Sequence, residues 1–137
     1  MPKCVFLQAD DDDAAHQMLQ IAIEDLNIPV QLYRVTDGEQ ALAFLRKREP
    51  YQAVPKADRV ILDLNLPKKS GRDALTEMRS DDALSSTQTV VFTSSSLSTE
   101  RRRVLALGAE DCIIKPATFK AFLEVVRSLY ARCVASS

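Results

Sequence analysis

Short apolar runs and helix-spaced apolar stripes alternate along the whole chain. Cys4 to Ala9 reads as a strand, after which Met18, Leu19, Ala22, Ile23 and Leu26 recur at helical spacing until Asn27 and Pro29 end the helix. Val30 to Val35 mixes β-branched and aromatic residues, and Thr36-Asp37-Gly38 turns into a helix carrying Ala41, Leu42 and Leu45. Pro50 and Pro55 mark a loop, Arg59 to Leu62 is a third strand, and Leu66 to Gly71 is a loop before a helix with Ala74, Leu75 and Met78. Thr89 to Phe92 is the fourth strand. Ser98 or Thr99 is expected to cap a helix bearing Val104, Leu105 and Leu107, stopped by Gly108; Cys112 to Ile114 is the fifth strand, closed by Pro116. Thr118 then caps a last helix with Phe119, Phe122, Leu123, Val126 and Leu129 on one stripe.

Strands this short and apolar, alternating with amphipathic helices, predict right-handed crossovers and a five-stranded parallel sheet covered by helices on both faces. In such α/β folds ligands bind outside the carboxyl ends of the strands. The residues just after strands one, three, four and five are therefore the candidates for chemistry.

Composition sets limits on that chemistry. At 137 residues, 46% hydrophobic and 27% charged, the chain is sized for one domain, with no linker or internal repeat. Lys and Arg total 18 against 19 Asp and Glu, so bulk charge offers no attraction to nucleic acid or anionic lipid. No run reaches membrane-spanning length and MPKCVFLQADDDD lacks a signal-peptide core, which predicts a cytoplasmic protein without membrane or nucleic-acid partners. Cys4, Cys112 and Cys133 leave one thiol unpaired under any disulfide scheme and are expected to be small buried hydrophobes in a reducing compartment.

At the strand ends stand Asp10 to Asp13, then Asp63, then Thr93 and Ser94, then Lys115-Pro116. Carboxylates with a carbonyl and water form the hard oxygen set that suits Mg²⁺ and leaves room for a phosphate oxygen. Asp63 is then a candidate nucleophile toward phosphorus, with the cation, Lys115 and a Thr93 or Ser94 hydroxyl offsetting the incoming negative charge. A charge-assisted hydrogen bond of the Lys115 kind contributes about 1.5–3 kcal/mol, enough to shift a two-state equilibrium roughly tenfold to a hundredfold.

The strings ADDDD, VILDLNLPKKSG, VVFTSS and CIIKPAT, in that order, resemble a response-regulator receiver domain over essentially the whole chain, and LDLNLPKKSGRDAL looks most similar to small phytochrome-associated regulators. The resemblance implies a flavodoxin-like (CheY-like) fold with strand order 2-1-3-4-5, one receiver domain over 1–137 and no output domain. It further implies Asp63 as phosphoacceptor, Asp10 and Asp11 as the acidic pair, Asn65 as a carbonyl ligand to Mg²⁺, Thr93 as the switch hydroxyl and Lys115 as the phosphate-binding lysine. A one-residue slip would bring Ala9 or Asp12 into the pair. The implied donor is a sensor histidine kinase, of phytochrome type on this likeness, or a phosphotransfer protein, with output by protein–protein contact and homodimerisation through the last helices. The Lys115-Pro116 bond is expected to be cis. One departure stands out: family members often carry Tyr or Phe three residues before the lysine, where this chain has Cys112.

Taken singly these residues have plainer readings. Asp12 or Asp13 is expected to serve as a helix cap, Asp63 alone would be a turn residue before Pro67, and Arg101 to Arg103 read as a solvated helix face. His16, the sole histidine, reads as a surface residue. Three other functions compete. An aspartyl-phosphate phosphatase of haloacid-dehalogenase type is disfavoured because Asp63 lies on the third strand and is followed by Asn65. A flavin or nucleotide module is disfavoured by four aspartates where a phosphate cradle needs free N–H groups. The last is a degenerate, unphosphorylated receiver acting as a scaffold.

Overall fold

The computed structural model describes residues 3–136. The elements run β1 (Cys4–Ala9), α1 (Asp13–Leu26), β2 (Val30–Val35), α2 (Gly38–Leu45), β3 (Arg59–Asp63), α3 (Gly71–Ser80), β4 (Thr89–Thr93), α4 (Ser98–Ala106), β5 (Asp111–Ile114) and α5 (Phe119–Ser136). All four strand pairings are parallel, as the element pattern predicts, and the sheet order is β2-β1-β3-β4-β5, as the family resemblance implies.

The period-two alternation of the strands divides the interior in two. Phe6, Ile61, Val90 and Phe92 point to one face, where Leu19 and Ile23 of α1 and Phe122, Val126 and Leu129 of α5 cover them. Leu7, Val60, Leu62 and Val91 point to the other, beneath Leu42 of α2, Leu75 and Met78 of α3 and Val104 of α4. β3 and β4 are buried at every residue, whereas the edge strands β2 and β5 are only partly so. Each large side chain of this kind contributes roughly 1.5–3 kcal/mol on burial. Two helical layers thus hold the sheet rigid and leave its carboxyl edge free for chemistry.

Several local expectations are met. Asp12 caps α1, its carboxylate accepting from the backbone N–H of Ala14 and Ala15, and Thr118 Oγ1 accepts from Ala121 N at 3.1 Å at the start of α5. Gly108 ends α4 at φ +96°, a conformation costly to any residue with a Cβ.

Others are not. Neither Ser98 nor Thr99 caps α4: the N-cap is Leu97, with no side-chain bond. The loop hydroxyls act a step earlier, Thr93 Oγ1 accepting from Ser95 N at 3.0 Å and Ser95 Oγ from Leu97 N at 3.2 Å, so the chain is already turned when the helix begins. The cis bond expected at Lys115-Pro116 is absent; among the described residues the cis peptide is Glu49-Pro50. The cysteines also depart from expectation, because Cys4 and Cys133 form a disulfide and only Cys112 is a free buried thiol. The first residue of β1 and the last buried turn of α5 meet with Cα atoms 6.5 Å apart, within bridging reach, across a sequence separation of 129 that no local pattern reveals.

Candidate functional site at the carboxyl edge of the sheet

β1 and β3 are neighbours, and their carboxyl ends deliver Asp10 and Asp63 side by side. Both are nearly sealed, at 1% and 5% exposure, while Asp11 is open to solvent. One carboxylate oxygen from each of Asp10, Asp11 and Asp63 lies within 4.8 Å of the others, a spacing that one divalent cation can span. The fifth strand brings the opposing charge. Lys115 Nζ donates to Asp10 Oδ2 at 3.1 Å and to Asp63 Oδ2 at 3.2 Å, so a single ammonium bridges the two buried carboxylates.

The remaining oxygens are held by backbone. Asp10 Oδ1 accepts from Asp12 N at 2.9 Å and Asp63 Oδ1 from Asn65 N at 3.1 Å, each locking the loop that follows its strand. Arg34 of β2 donates to the Asp10 carbonyl at 3.1 Å and pairs with Asp13 at 2.7 Å, closing the acidic loop from its outer side. Burial pushes the Asp10 carboxyl above the ordinary carboxylate range, against the Asp12 N–H and Lys115, which pull it down. For Lys115, burial opposes the charge, but the hydrogen bond and charge of Asp10, followed by those of Asp63, outweigh it and hold the ammonium above the ordinary lysine value. The two directions have different leading causes, desolvation for Asp10 and the paired carboxylates for Lys115, and both follow from two nearly sealed carboxylates sharing one ammonium.

Thr93 ends β4 at 3% exposure, whereas Ser94 is exposed, so the structure separates the two hydroxyls that the sequence left open. Lys115 N donates to the Thr93 carbonyl at 2.8 Å, tying the hydroxyl-bearing residue to the lysine. Beside Thr93, a cavity of about 140 Å³ is lined by Leu97, Arg101, Cys112 and Ile114, and Leu97 and Ile114 are 64% and 56% exposed. Burial raises the Cys112 thiol.

Two contributors escaped the sequence reading. A Cβ on Gly71 would lie 2.1 Å from the Asp63 carbonyl oxygen, so glycine alone lets α3 start against the end of β3, where Gly71 N also donates to the Leu64 carbonyl at 3.0 Å. The chain has only 3 glycines, and one directly after a helix-capping serine was the available signal. Arg101 is exposed as expected, yet it also donates to the Cys112 carbonyl and pairs with Asp111 at 3.3 Å, binding α4 to β5. His16 is half-buried rather than superficial, its Nδ1 2.9 Å from Gln8 Oε1, and burial with the nearby Arg34 lowers its pKa.

Comparison with known proteins agrees with this geometry. The profile of the response regulator receiver domain matches residues 6–127. Response regulator Rcp1 of Synechocystis sp. PCC 6803 is 35% identical over 94 residues, covering 69% of this chain and 64% of that protein, so the match spans less than two thirds of the relative. The crystal structure of the phosphorylated cyanobacterial phytochrome response regulator RcpA superposes with a TM-score of 0.89 at 27% identity, covering 99% of this chain and 97% of the other. The Mn²⁺-bound form of Rcp1 superposes at 0.84 with 29% identity, covering 95% and 93%. An acidic pocket at the carboxyl edge of a 2-1-3-4-5 sheet, bridged by a lysine from the fifth strand's end, carries the same conclusion as these likenesses: the chain belongs to the response regulator receiver domain family.

Proposed function

We propose that this protein takes a phosphoryl group from a phosphohistidine, on a sensor kinase or a phosphotransfer protein, onto Asp63. The observation that carries the reading is the bridge of Lys115 between Asp10 and Asp63 with Asp11 at the rim. A buried carboxylate with an ammonium already beside it is a nucleophile whose product charge has a partner in place.

In the transfer, a carboxylate oxygen of Asp63 forms a bond to phosphorus while the bond from phosphorus to the donor imidazole nitrogen breaks, the electron pair leaving with the imidazole. Asp10, Asp11, Asp63 and the Asn65 carbonyl are the proposed holders of Mg²⁺, which supplies charge neutralisation for the phosphoryl oxygens when bound. Lys115 donates to a phosphoryl oxygen, exchanging one of its present carboxylate contacts for it. Thr93, buried at the end of β4, offers its hydroxyl to another. Because that hydroxyl now accepts from Ser95 N, turning it toward phosphate frees the β4–α4 loop, and the signal passes to α4 and β5.

Receiver domains of this kind are signalling proteins, and we place this one in the cytoplasm as a regulator acting by protein contact, including self-association through α5, downstream of a phytochrome-type kinase. Among the described residues no helix is long and apolar enough to cross a membrane. The test is incubation with acetyl phosphate and Mg²⁺, followed by intact mass and size-exclusion chromatography. Wild type gains one phosphoryl mass, and Asp63→Asn or chelation by EDTA abolishes the gain. Equal labelling of Asp63→Asn would end the proposal, and multiple turnover of a phosphomonoester would replace it with a phosphatase.

A further inference from the structure

At the amino-terminal edge of the sheet, opposite Asp63, the Cys4–Cys133 bond joins the start of β1 to the closing turns of α5. Cys133 continues the α5 stripe of Phe122, Val126 and Leu129 and is the last buried residue of that helix among the described side chains. A solvent-open cavity of about 220 Å³ is lined by Lys56, Asp58, Arg59, Thr87, Gln88 and Cys133. Cys133 borders it and Cys4 does not. An Asp58 carboxylate oxygen lies within 4.8 Å of both sulfurs, and Asp58 Oδ2 accepts from Val5 N at 2.8 Å.

We infer that Cys4–Cys133 is a reversible thiol–disulfide exchange site, reduced by a small thiol entering this cavity, and that its state sets how firmly the last turns of α5 are held on β1. The cavity is smaller than the usual pocket of about 300 Å³ or more for a drug-sized ligand, which suits the head of a thiol. Exposed Lys56 at its wall favours an incoming thiolate. The inference rests on the cytoplasmic placement proposed above, since a disulfide kept in a reducing compartment is typically a transient or sensing one.

The chemistry runs in two displacements. The incoming thiolate attacks Cys133 Sγ, the bond between the two cysteines breaks, and Cys4 leaves with the electron pair and takes a proton from water. A second thiol of the reductant then attacks the mixed disulfide, releasing Cys133 as a thiol and the reductant as its own disulfide. Two electrons and two protons enter the chain. Asp58, negative beside the departing Cys4 sulfur, slows the first displacement because it disfavours the leaving thiolate. Once the bond is gone, Phe122, Val126 and Leu129 still anchor α5, so only the turns beyond Leu129 are loosened.

The full chain equilibrated in glutathione buffers of graded ratio, quenched in acid and alkylated after denaturation, reads out the site by intact mass. The oxidised form takes one label, at Cys112, and the reduced form three. The expected result is interconversion in both directions as the ratio changes, with faster amide exchange confined to Cys4–Phe6 and the end of α5. Asp58→Asn keeps the acceptor for Val5 N, so it is expected to leave the fold intact and speed reduction several-fold. A pair that resists excess glutathione, fails to re-form, unfolds the whole chain on reduction, or reduces at an unchanged rate in Asp58→Asn overturns the inference. Phosphoryl uptake measured on the same samples separates the two readings: its absence would defeat the phosphoacceptor proposal while leaving the exchange result standing.

Discussion

Neutralising Asp63 is expected to stabilise the fold, although it removes an ion pair. In an effective dielectric of about 20, an ammonium 3.2 Å from the Asp63 oxygen gives a gross attraction of about 5 kcal/mol. Asp10, no farther than 4.8 Å, repels with at least about 3.5 kcal/mol, and Asp11, screened by its exposure, with roughly half that. The charge terms therefore come close to cancelling. What remains is the cost of holding a nearly sealed carboxylate out of water, which Asn does not bear. Without divalent cation, Asp63→Asn should gain about 1–2 kcal/mol, a rise in Tm of roughly 3–7 °C. Saturating Mg²⁺ should invert the order: at a hundred times its Kd, a ligand specific for the native state adds about 2.7 kcal/mol to wild type, and the variant, short of one carboxylate ligand, gains less. Urea unfolding in EDTA and in Mg²⁺ measures all four values. A variant less stable than wild type in EDTA, or an equal gain from Mg²⁺ in both proteins, would refute the charge argument.

Removing the cation instead should be costly: Lys115→Met leaves Asp10 and Asp63 facing each other and is expected to lose about 1–3 kcal/mol, less than the roughly 3–5 kcal/mol of a fully buried broken pair because the lysine is partly exposed. Its pH signature follows from the raised lysine value. The Lys115 contribution is complete below the ordinary value of 10.5 and lost as pH rises through the higher folded value, so the stability gap between wild type and Lys115→Met should shrink in strong alkali. It should also shrink on acidification, because Asp10, raised by burial and freed from the pull of Lys115, takes up a proton in the folded variant. Gly71→Ala should cost about 1–3 kcal/mol in urea unfolding and slow phosphoryl uptake, since the new methyl must displace the Asp63 backbone; an unchanged uptake rate would show that α3 does not position the carboxylate. Cys112, buried and with its thiol pKa raised, should react with maleimide far more slowly in the folded chain than after unfolding, and labelling at native rates typical of a free thiol would contradict its placement.

What could be read in the sequence was whatever is written at short range. Strand and helix identities, the Asp12 and Thr118 caps and the Gly108 stop all depend on neighbours within a few residues. The site was legible for a different reason. Parallel connectivity brings every strand's carboxyl end to one edge, and the strand order implied by the family resemblance sets strands one, three, four and five side by side, so the two together bring the ends bearing Asp10, Asp63, Thr93 and Lys115 next to one another. The failures are of the opposite kind. Pairing Cys4 with Cys133 requires knowing that the last turn of α5 reaches the amino-terminal edge of β1, which depends on helix length and crossing geometry rather than on spacing. Ser98 and Thr99 do not cap α4, and the hydroxyls of Thr93 and Ser95 turn the preceding loop instead, because a run of hydroxyl residues offers several local bonds of similar energy and the burial of Thr93 at the end of β4 favours the earlier ones.

The aim of Lys115 shows how such a site is built without the backbone isomer that was expected to set it. β4 and β5 pair from Val90 with Asp111 to Thr93 with Ile114, and the next ladder bond runs from Lys115 N to the Thr93 carbonyl at 2.8 Å. Lys115 is therefore still held by the sheet when Pro116 removes the next donor and ends the strand. In a pleated strand its side chain must point opposite to that of exposed Ile114, which directs it toward Asp10 and Asp63. The same bond fixes the main chain of Thr93, so a rotation of its hydroxyl leaves the lysine in place. On the function proposed above, phosphate would take one Lys115–carboxylate contact and the Thr93–Ser95 contact in exchange for its own, and the loop released would be β4–α4 rather than the lysine's own.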